Sequence, residues 1–260
     1  MTDDLPSGED VRAAWDANAA FWDRQMESGG TWQQFLIEPA VERALRLEKG
    51  ERVLEVACGN GEFARRMAEL GGQVLATDFS EAMLERARAH GGEVEYRQAD
   101  ATDGAALAAL GDPGSFDAVV CNMALMDMRE IEPLARAAWT LLRPGGRLLL
   151  SSVHPAFNSG NVVLVTERSE DEDGLLRRHS VKVSNYAKPY VTKGIAVEGQ
   201  PELHWYFHRS LADLLRPFLA AGFVVEELDE PVLPPGRVAP GEIAAVFHEV
   251  PPVIVLRLRR

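Results

Sequence analysis

The segment Glu55-Val56-Ala57-Cys58-Gly59-Asn60-Gly61 follows Arg52-Val53-Leu54 and opens into Phe63-Ala64-Arg65-Arg66-Met67-Ala68, which sets a buried strand directly against the start of a helix. Small residues in such a turn let the backbone approach a ligand closely, and the amides of the first helical turn favour electron-rich groups. The corner predicts a cofactor site. Around it, strand patterns over 52–57, 73–77, 93–98, 116–121 and 146–152 alternate with helix patterns over 61–70, 80–89, 104–110 and 130–142. That alternation predicts an α/β fold with a parallel sheet covered by helices.

Two segments stand outside the alternation. Large apolar side chains at 11, 15, 21 or 22 and 26 give an amphipathic helix, and a second helix is predicted from Glu38 to Leu47, ending near Lys49-Gly50. Residues 153–208 carry the acidic patch Glu167 to Asp173, scattered Val-x-Val pairs and the cluster Tyr186, Tyr190, His204, Trp205, Tyr206, Phe207 and His208. An insertion of that length inside a compact domain is expected to be structured or functional, and a β-rich lid over the active site is predicted. Helix resumes over 210–221 and stops at Gly222; a strand follows over 223–228, then a Pro/Gly-rich loop over 231–241 and a last strand over Val253–Leu258. The chain is read as a single domain over 1–260, with 1–35 a helical cap and 153–208 the inserted lid.

Charge narrows the partners. Against 40 acidic residues stand 27 Lys and Arg, a net charge of -13 that disfavours any partner held by phosphate neutralisation, so no nucleic acid is expected. The two cysteines, Cys58 and Cys121, read as small buried residues of a reducing compartment, without a disulfide. Met1-Thr2-Asp3-Asp4 starts no signal sequence and no apolar run is long enough for a membrane span, so a cytoplasmic protein without a membrane partner is expected. Neither a metal site nor an oligomer beyond monomer or homodimer is predicted.

Five motifs then arrive in order: Glu-x-Ala-Cys-Gly-x-Gly, Ala76-Thr77-Asp78-Phe79-Ser80-Glu81-Ala82-Met83-Leu84, Ala99-Asp100-Ala101, Phe116-Asp117-Ala118-Val119-Val120 and Leu142-Arg143-Pro144-Gly145-Gly146. Together they resemble a class I S-adenosylmethionine-dependent methyltransferase over residues 45–150, with 209–260 fitting more weakly. The family's first glycine is Ala57 here. The resemblance implies a Rossmann-like seven-stranded sheet whose last strand is antiparallel, S-adenosyl-L-methionine as cofactor and a small-molecule acceptor methylated on O, N or C. A nicotinamide-dependent oxidoreductase is the first alternative; its glycine pattern needs a gap of two before the last glycine, whereas the small residues here fall at 57, 59 and 61. A non-catalytic S-adenosylmethionine-binding regulator is the second. The Asn-Pro-Pro-Tyr/Phe signature resembling amino-group methylators of nucleobases is missing after the fourth strand.

Each handle of the cofactor has an expected partner. Ala57, Gly59 and Gly61 let the chain pass close to its amino-acid end, and Glu55 braces the loop or meets the ammonium. Asp78 is placed to accept hydrogen bonds from the two ribose hydroxyls, with Ser80 better placed than Asp78 to cap the next helix. Asp100 and the Ala101 amide match the adenine edge, Phe79 and Met83 cover its face or fill the core, and Cys121 and Asn122 end the strand facing the methyl group. Met123, Met126 and Met128 offer an adaptable apolar wall. If the acceptor must lose a proton, His154, His208 and His204 are the candidate bases.

Overall fold

Residues of the central strands alternate between two apolar layers, and this forces helices onto both faces. The computed structural model describes residues 5–27, 29–30, 32–171, 174–237 and 243–260. Met1 to Asp4, Glu172 and Asp173 of the acidic patch and residues 238–241 of the Pro/Gly-rich loop lie outside the described residues. The sheet has seven strands: β1 (Arg52–Val56), β2 (Gln73–Asp78), β3 (Val94–Gln98), β4 (Phe116–Cys121), β5 (Leu142–Val153), β10 (Val224–Asp229) and β11 (Val253–Arg259), in the order β10-β11-β5-β4-β1-β2-β3. Strand β11 runs antiparallel to both β5 and β10, while β1 pairs in parallel with β2 and β4.

The helices are α1 (Gly8–Glu27), α2 (Glu38–Leu45), α3 (Glu62–Glu69), α4 (Glu81–Ala89), α5 (Gly104–Ala108), α6 (Glu132–Leu141) and α7 (Leu211–Ala221). Leu54, Val56, Val119, Leu148, Leu150 and Ile254 face α5, α6 and α7, where Leu107, Leu134, Leu141, Leu214 and Phe218 meet them. Val53, Val74, Val120, Leu149 and Val255 face the other layer, filled by Val41 and Leu45 of α2, Phe63 and Met67 of α3 and Leu84 of α4. Full burial of each such side chain contributes roughly 1.5–3 kcal/mol. Cys58 and Cys121 fall in opposite layers as free thiols, each with burial pushing its pKa up.

Several expected boundaries shift, two of them for a visible reason. The second helix ends at Leu45 rather than Leu47, because Arg46 takes the left-handed conformation (φ 50°) and its N–H closes on Glu42 O. The fifth strand starts at Leu142, four residues early: Leu142 pairs with Phe116, the Pro144-Gly145 segment bulges out, and pairing resumes at Arg147 with Ala118. Other stops and starts follow the local chemistry, with Ser80 Oγ accepting the Met83 N–H as N-cap and Gly222 (φ 113°) closing α7.

The insertion forms two separate antiparallel hairpins. Strands β6 (Val162–Asp171) and β7 (Gly174–Val183) pair in one, with Leu164 and Val181 packed on the layer that holds Val246 and Phe247 of the 3-10 helix Ile243–His248. Strands β8 (Tyr190–Gly194) and β9 (His204–His208) pair in the other, and β9 packs against α1 and the 3-10 turn Leu125–Asp127. The second hairpin thereby reaches the turn that follows β4. Among the described residues no helix is long and apolar enough to cross a membrane.

Helix α1 is fastened by polar contacts. Asp16 accepts from Ser80 Oγ at 2.5 Å, and Asp23 accepts from Asn60 Nδ2 at 3.0 Å and Arg86 Nη1 at 3.2 Å and bonds His90 Nε2 at 2.7 Å. Asn18, fully buried, holds the Glu202 backbone in both directions and donates to His204 Nε2. Replacing Asp23 by Ala strips three donors of one acceptor. The expected loss is about 2–3 kcal/mol of unfolding free energy, since hydrogen bonds to charged groups carry roughly 1.5–3 kcal/mol. Urea denaturation checks it: the midpoint should fall with the slope unchanged, and an unmoved midpoint would mean that α1 is held elsewhere.

Candidate functional site

The turn after β1 is built from left-handed residues. Ala57 (φ 59°), Gly59 (φ 56°) and Gly61 (φ 73°) all take positive φ, and the Cys58 N–H closes on Thr77 O while the Gly61 N–H closes on Cys58 O. A non-glycine residue there costs roughly 1–2 kcal/mol, so Ala57 occupies a position that glycine fills without strain. A side chain at Gly61 would run into the Tyr96 ring, whereas one at Gly59 would meet nothing within 4 Å. The space above Gly59 is open to a ligand.

Two buried carboxyl groups flank that space. Asp78 Oδ2 accepts the Gly59 N–H and Oδ1 the Ser80 N–H, both at 2.9 Å, leaving each oxygen a second lone pair. Burial raises its pKa to about 6, and the two amides moderate the rise. Glu55 is more extreme: Oε2 is shut off from water without a hydrogen-bond partner, and burial, then the Asp78 charge, pushes its pKa up to about 8. A buried, unsatisfied carboxyl oxygen is costly unless a ligand completes it.

From this corner a cleft of about 230 Å³ extends past Phe79, Asp100 and Ala101 on one side and Ala124, Asp127 and Met128 on the other, closed by Pro6, Ser7, Gly8 and Val11 at the start of α1. Asp100 Oδ1 accepts both the N–H (2.8 Å) and Oγ1 (2.7 Å) of Thr102, which fixes the carboxyl at the cleft wall. An ammonium at Glu55, a diol at Asp78 and a flat ring beside Phe79 and Asp100 would all fit this surface.

Residues 54–150 match the family model described as "Methyltransferase domain". Across nearly the whole fold, an S-adenosylmethionine-dependent methyltransferase from Mesorhizobium loti superposes with TM-score 0.67 at 25% identity, covering 90% of this chain and 99% of that one. Residues 54–150 thus match a methyltransferase domain, set in a fold shared with an S-adenosylmethionine-dependent methyltransferase. A curated relative, the ubiquinone biosynthesis O-methyltransferase of Xanthomonas euvesicatoria pv. vesicatoria (strain 85-10), is 41% identical over 114 residues, 42% of this chain and 46% of that protein, so the match spans about half the relative's length. The 1,6-didemethyltoxoflavin-N1-methyltransferase of Burkholderia thailandensis, at 16% identity and TM-score 0.56 over 100% of this chain and 93% of that one, shares the fold.

Within the methyltransferase domain the expected cofactor residues divide. Ala57, Phe79, Asp100 and Ala101 line the cleft, while Glu55, Gly59, Gly61 and Asp78 sit in the strand ends and turn beside Ala57 without lining it. Met83 and Cys121 are instead buried in the core, at 1% and 0% exposure. Asn122 accepts from Ser151 Oγ at 2.5 Å, and with the next N–H donated to the same hydroxyl this straps the turn at Met123 (φ 54°) to β5.

The three histidines are all buried but differently committed. His154 bonds Glu230 through Nε2 at 2.8 Å and accepts the Ala156 N–H at Nδ1; burial lowers its pKa, with Glu230 opposing. His204 lies stacked on Trp15 (4.0 Å between centroids), its Nε2 accepting from Asn18, and burial brings its pKa down to about 4. His208 donates Nε2–H to Tyr186 O at 2.8 Å and stacks on Tyr190 at 4.4 Å, which leaves Nδ1 with its lone pair. Asp127 was not singled out by the sequence pattern; the one acid in the Met123–Met128 stretch is its only signal. Arg209, also unforeseen, donates to the carbonyls of Leu125, Met128 and Arg129 and so ties that stretch to the end of β9.

Glu55 generates a two-sided prediction. Its carboxyl prefers the proton in the folded state (about 8 against an ordinary 4.5), so its contribution to stability is present below pH 4.5 and is lost as pH rises through 8. Glu55→Gln should therefore melt above the unsubstituted protein at pH 8, by roughly 2–4 °C per kcal/mol recovered, and the gap should shrink toward pH 5. A cationic ligand group at Glu55 reverses the preference, so affinity for it should rise from pH 6 to 8 and then level off, a rise that Glu55→Gln removes. Melting curves and calorimetry across that range decide; equal melting at all pH values would mean that Glu55 is ionised and paired.

Proposed function

We propose that this protein transfers a methyl group from S-adenosyl-L-methionine to a hydroxyl oxygen of a small organic acceptor. The observation that carries the reading is the conjunction, at one strand-to-helix corner beside the cleft, of the positive-φ turn, the partnerless Glu55 oxygen and the Asp78 carboxyl with lone pairs to spare. Oxygen is chosen over nitrogen and carbon because the relative matched over the domain's core is named an O-methyltransferase. S-adenosylmethionine, when bound, supplies an activated methyl carbon, which bonds to the acceptor oxygen as the C–S bond pair returns to sulfur and the hydroxyl proton leaves to a base or to water.

The chain's own groups then have defined tasks. Glu55 would hold the amino-acid end through its ammonium, Asp78 the ribose diol, and Asp100 with the Ala101 amide the adenine edge, while Phe79 covers the ring. Gly59 and Gly61 leave the backbone bare where the ligand passes. Exclusion of water falls to the start of α1, which lines the cleft, and to β9, which packs against α1 and the Leu125–Asp127 turn. Of the candidate bases we propose His208 ahead of His154 and His204, because the Tyr186 carbonyl fixes its Nε2–H tautomer and leaves Nδ1 to accept a proton. We also propose a cytoplasmic setting, supported by two buried, unpaired thiols, and action as a monomer or homodimer.

Calorimetry should show S-adenosylmethionine or S-adenosylhomocysteine binding in the micromolar range, about -8 kcal/mol, with no comparable signal from NAD. Asp78→Ala should weaken that binding by about 1.5–3 kcal/mol, the range for hydrogen bonds to a charged group. Tighter binding of NAD, or an unchanged affinity in folded Asp78→Ala, overturns the cofactor assignment. With a catechol or phenol panel, methyl transfer should be measurable, and His208→Ala should lower turnover about a hundredfold while cofactor affinity holds within a few-fold. Binding without transfer to any acceptor would favour a regulator instead.

A further inference from the structure

Polar atoms buried without a partner mark where a folded protein expects something else to bind. Among the described residues such atoms include Trp22 Nε1, Asp127 Oδ1 and Tyr206 Oη. These three belong to one neighbourhood. Trp22 stacks over His204 at 6.0 Å, His204 meets Tyr206 edge-on at 6.4 Å, and the Asp127 charge acts on the Tyr206 phenol. Alternation along β9 puts His204, Tyr206 and His208 on one face of the strand, and β9 packs against the Leu125–Asp127 turn. Asp127 also lines the cleft, beside Ala124 and Met128 and across from the Ala57 turn.

We propose that Asp127 and Tyr206 form the recognition site for the acceptor, binding an uncharged hydroxyl on a ring-bearing molecule between the end of β4 and strand β9. The inference rests on the methyl-transfer reading for the direction in which that hydroxyl points, and goes beyond it in naming the groups that select the acceptor.

Chemistry argues for a hydroxyl. Asp127 makes no ion pair among the described residues, and burial, with Asp78 adding to it, pushes its pKa up; a carboxyl that keeps its proton can donate one hydrogen bond and accept another. Tyr206 Oη, kept neutral by burial and by Asp127, has the same double capacity. A ligand group that satisfies both must itself donate and accept, as a hydroxyl does. An acceptor with an ionised carboxylate or phosphate at this point would have no proton to donate and could satisfy only one side of that capacity. Trp15 and Trp22 stack against His204 on this side and Met128 lines the cleft beside Asp127, apolar groups that suit a flat apolar body. A site that satisfies buried polar groups only with the right partner rejects analogues lacking the hydroxyl far more strongly than it rejects changes of apolar bulk.

The test separates this site from the methyl-transfer reading by measuring binding rather than turnover. Wild-type protein saturated with S-adenosylhomocysteine is titrated with a catechol and phenol panel, with the methyl ether of the tightest binder, and with the matching alkylammonium. Failure of S-adenosylhomocysteine itself to bind would defeat the function proposed above. Given that binding, the phenol should bind at least tenfold more tightly than its ether and than the ammonium analogue. Tyr206→Phe and Asp127→Leu should each weaken the phenol about tenfold or more, while Asp127→Asn, which still donates and accepts, stays within about threefold. S-adenosylhomocysteine affinity should change less than threefold in Tyr206→Phe and Asp127→Asn.

Thermal melting guards against a merely structural explanation. Removing an unsatisfied hydroxyl should leave ligand-free Tyr206→Phe melting at or above the wild-type temperature. The proposal is overturned if no phenol binds the loaded wild type, if the ammonium analogue binds more tightly than the phenol, if folded Tyr206→Phe keeps wild-type phenol affinity, or if Tyr206→Phe melts clearly lower and its loss of phenol affinity is restored by added stabiliser.

Discussion

Three carboxyl groups gather around the carboxyl ends of β1, β2 and β4: Glu55 and Asp78 are buried, Asp127 is half-buried with its Oδ1 shut off from water, and none makes an ion pair among the described residues. Each raises the pKa of another or has its own raised by one, since like charges at short range in a poorly polarisable interior repel strongly. A protein that needed only to be stable would replace them with apolar residues of similar size. Their retention is intelligible when the cleft is filled, because a bound ammonium, diol or hydroxyl supplies the missing partners. Much of the architecture reads as support for that arrangement: the two-layer core holds the strand ends in register, the left-handed turn clears space above them, and α1 is bolted across the opening.

The bolting of α1 shows how cap and corner depend on each other. Asp23 reaches Asn60, whose own carbonyl oxygen Oδ1 accepts the Glu62 N–H at the first turn of α3, so cap and turn share a hydrogen-bond chain. Asp16 engages the hydroxyl that also caps α4. The helix is therefore held by the same two helix starts that frame the cofactor corner, together with the burial of its own Val11, Ala19 and Phe21.

Legibility in the sequence followed range. The corner at 55–61, the acids at 78 and 100, the Ser80 cap and the Gly222 stop are local patterns, and local backbone chemistry decided them. The reversal of β11 entered through the family resemblance. What the sequence did not yield was contact between distant segments. Nothing near Asp127 announces that its carboxyl will meet a tyrosine 79 positions later, in a hairpin whose own pairing is fixed by β8. Nothing near Met83 separates a ring cover from core filling until the layer behind it is seen. The two hairpins read together as a single lid because both are β-rich; one of them leans on the Ile243–His248 helix, a partner more than 60 residues away from β7.

Arg209 carries one more consequence. Its guanidinium binds the carbonyls of Leu125, Met128 and Arg129 and also that of Phe207, so the last strand of the insertion and the loop after β4 are one mechanical piece. Traffic into the cleft cannot run between them without breaking several charge-assisted bonds at once. The opposite wall is a single helical turn, Pro6 to Val11, tied at its start by Asp10 accepting from the Ser7 N–H and hydroxyl on the exposed surface. Bonds of that exposed kind exchange readily with water, so the amino end of α1 is the more weakly tied of the two walls and Arg209 the stiffener of the other.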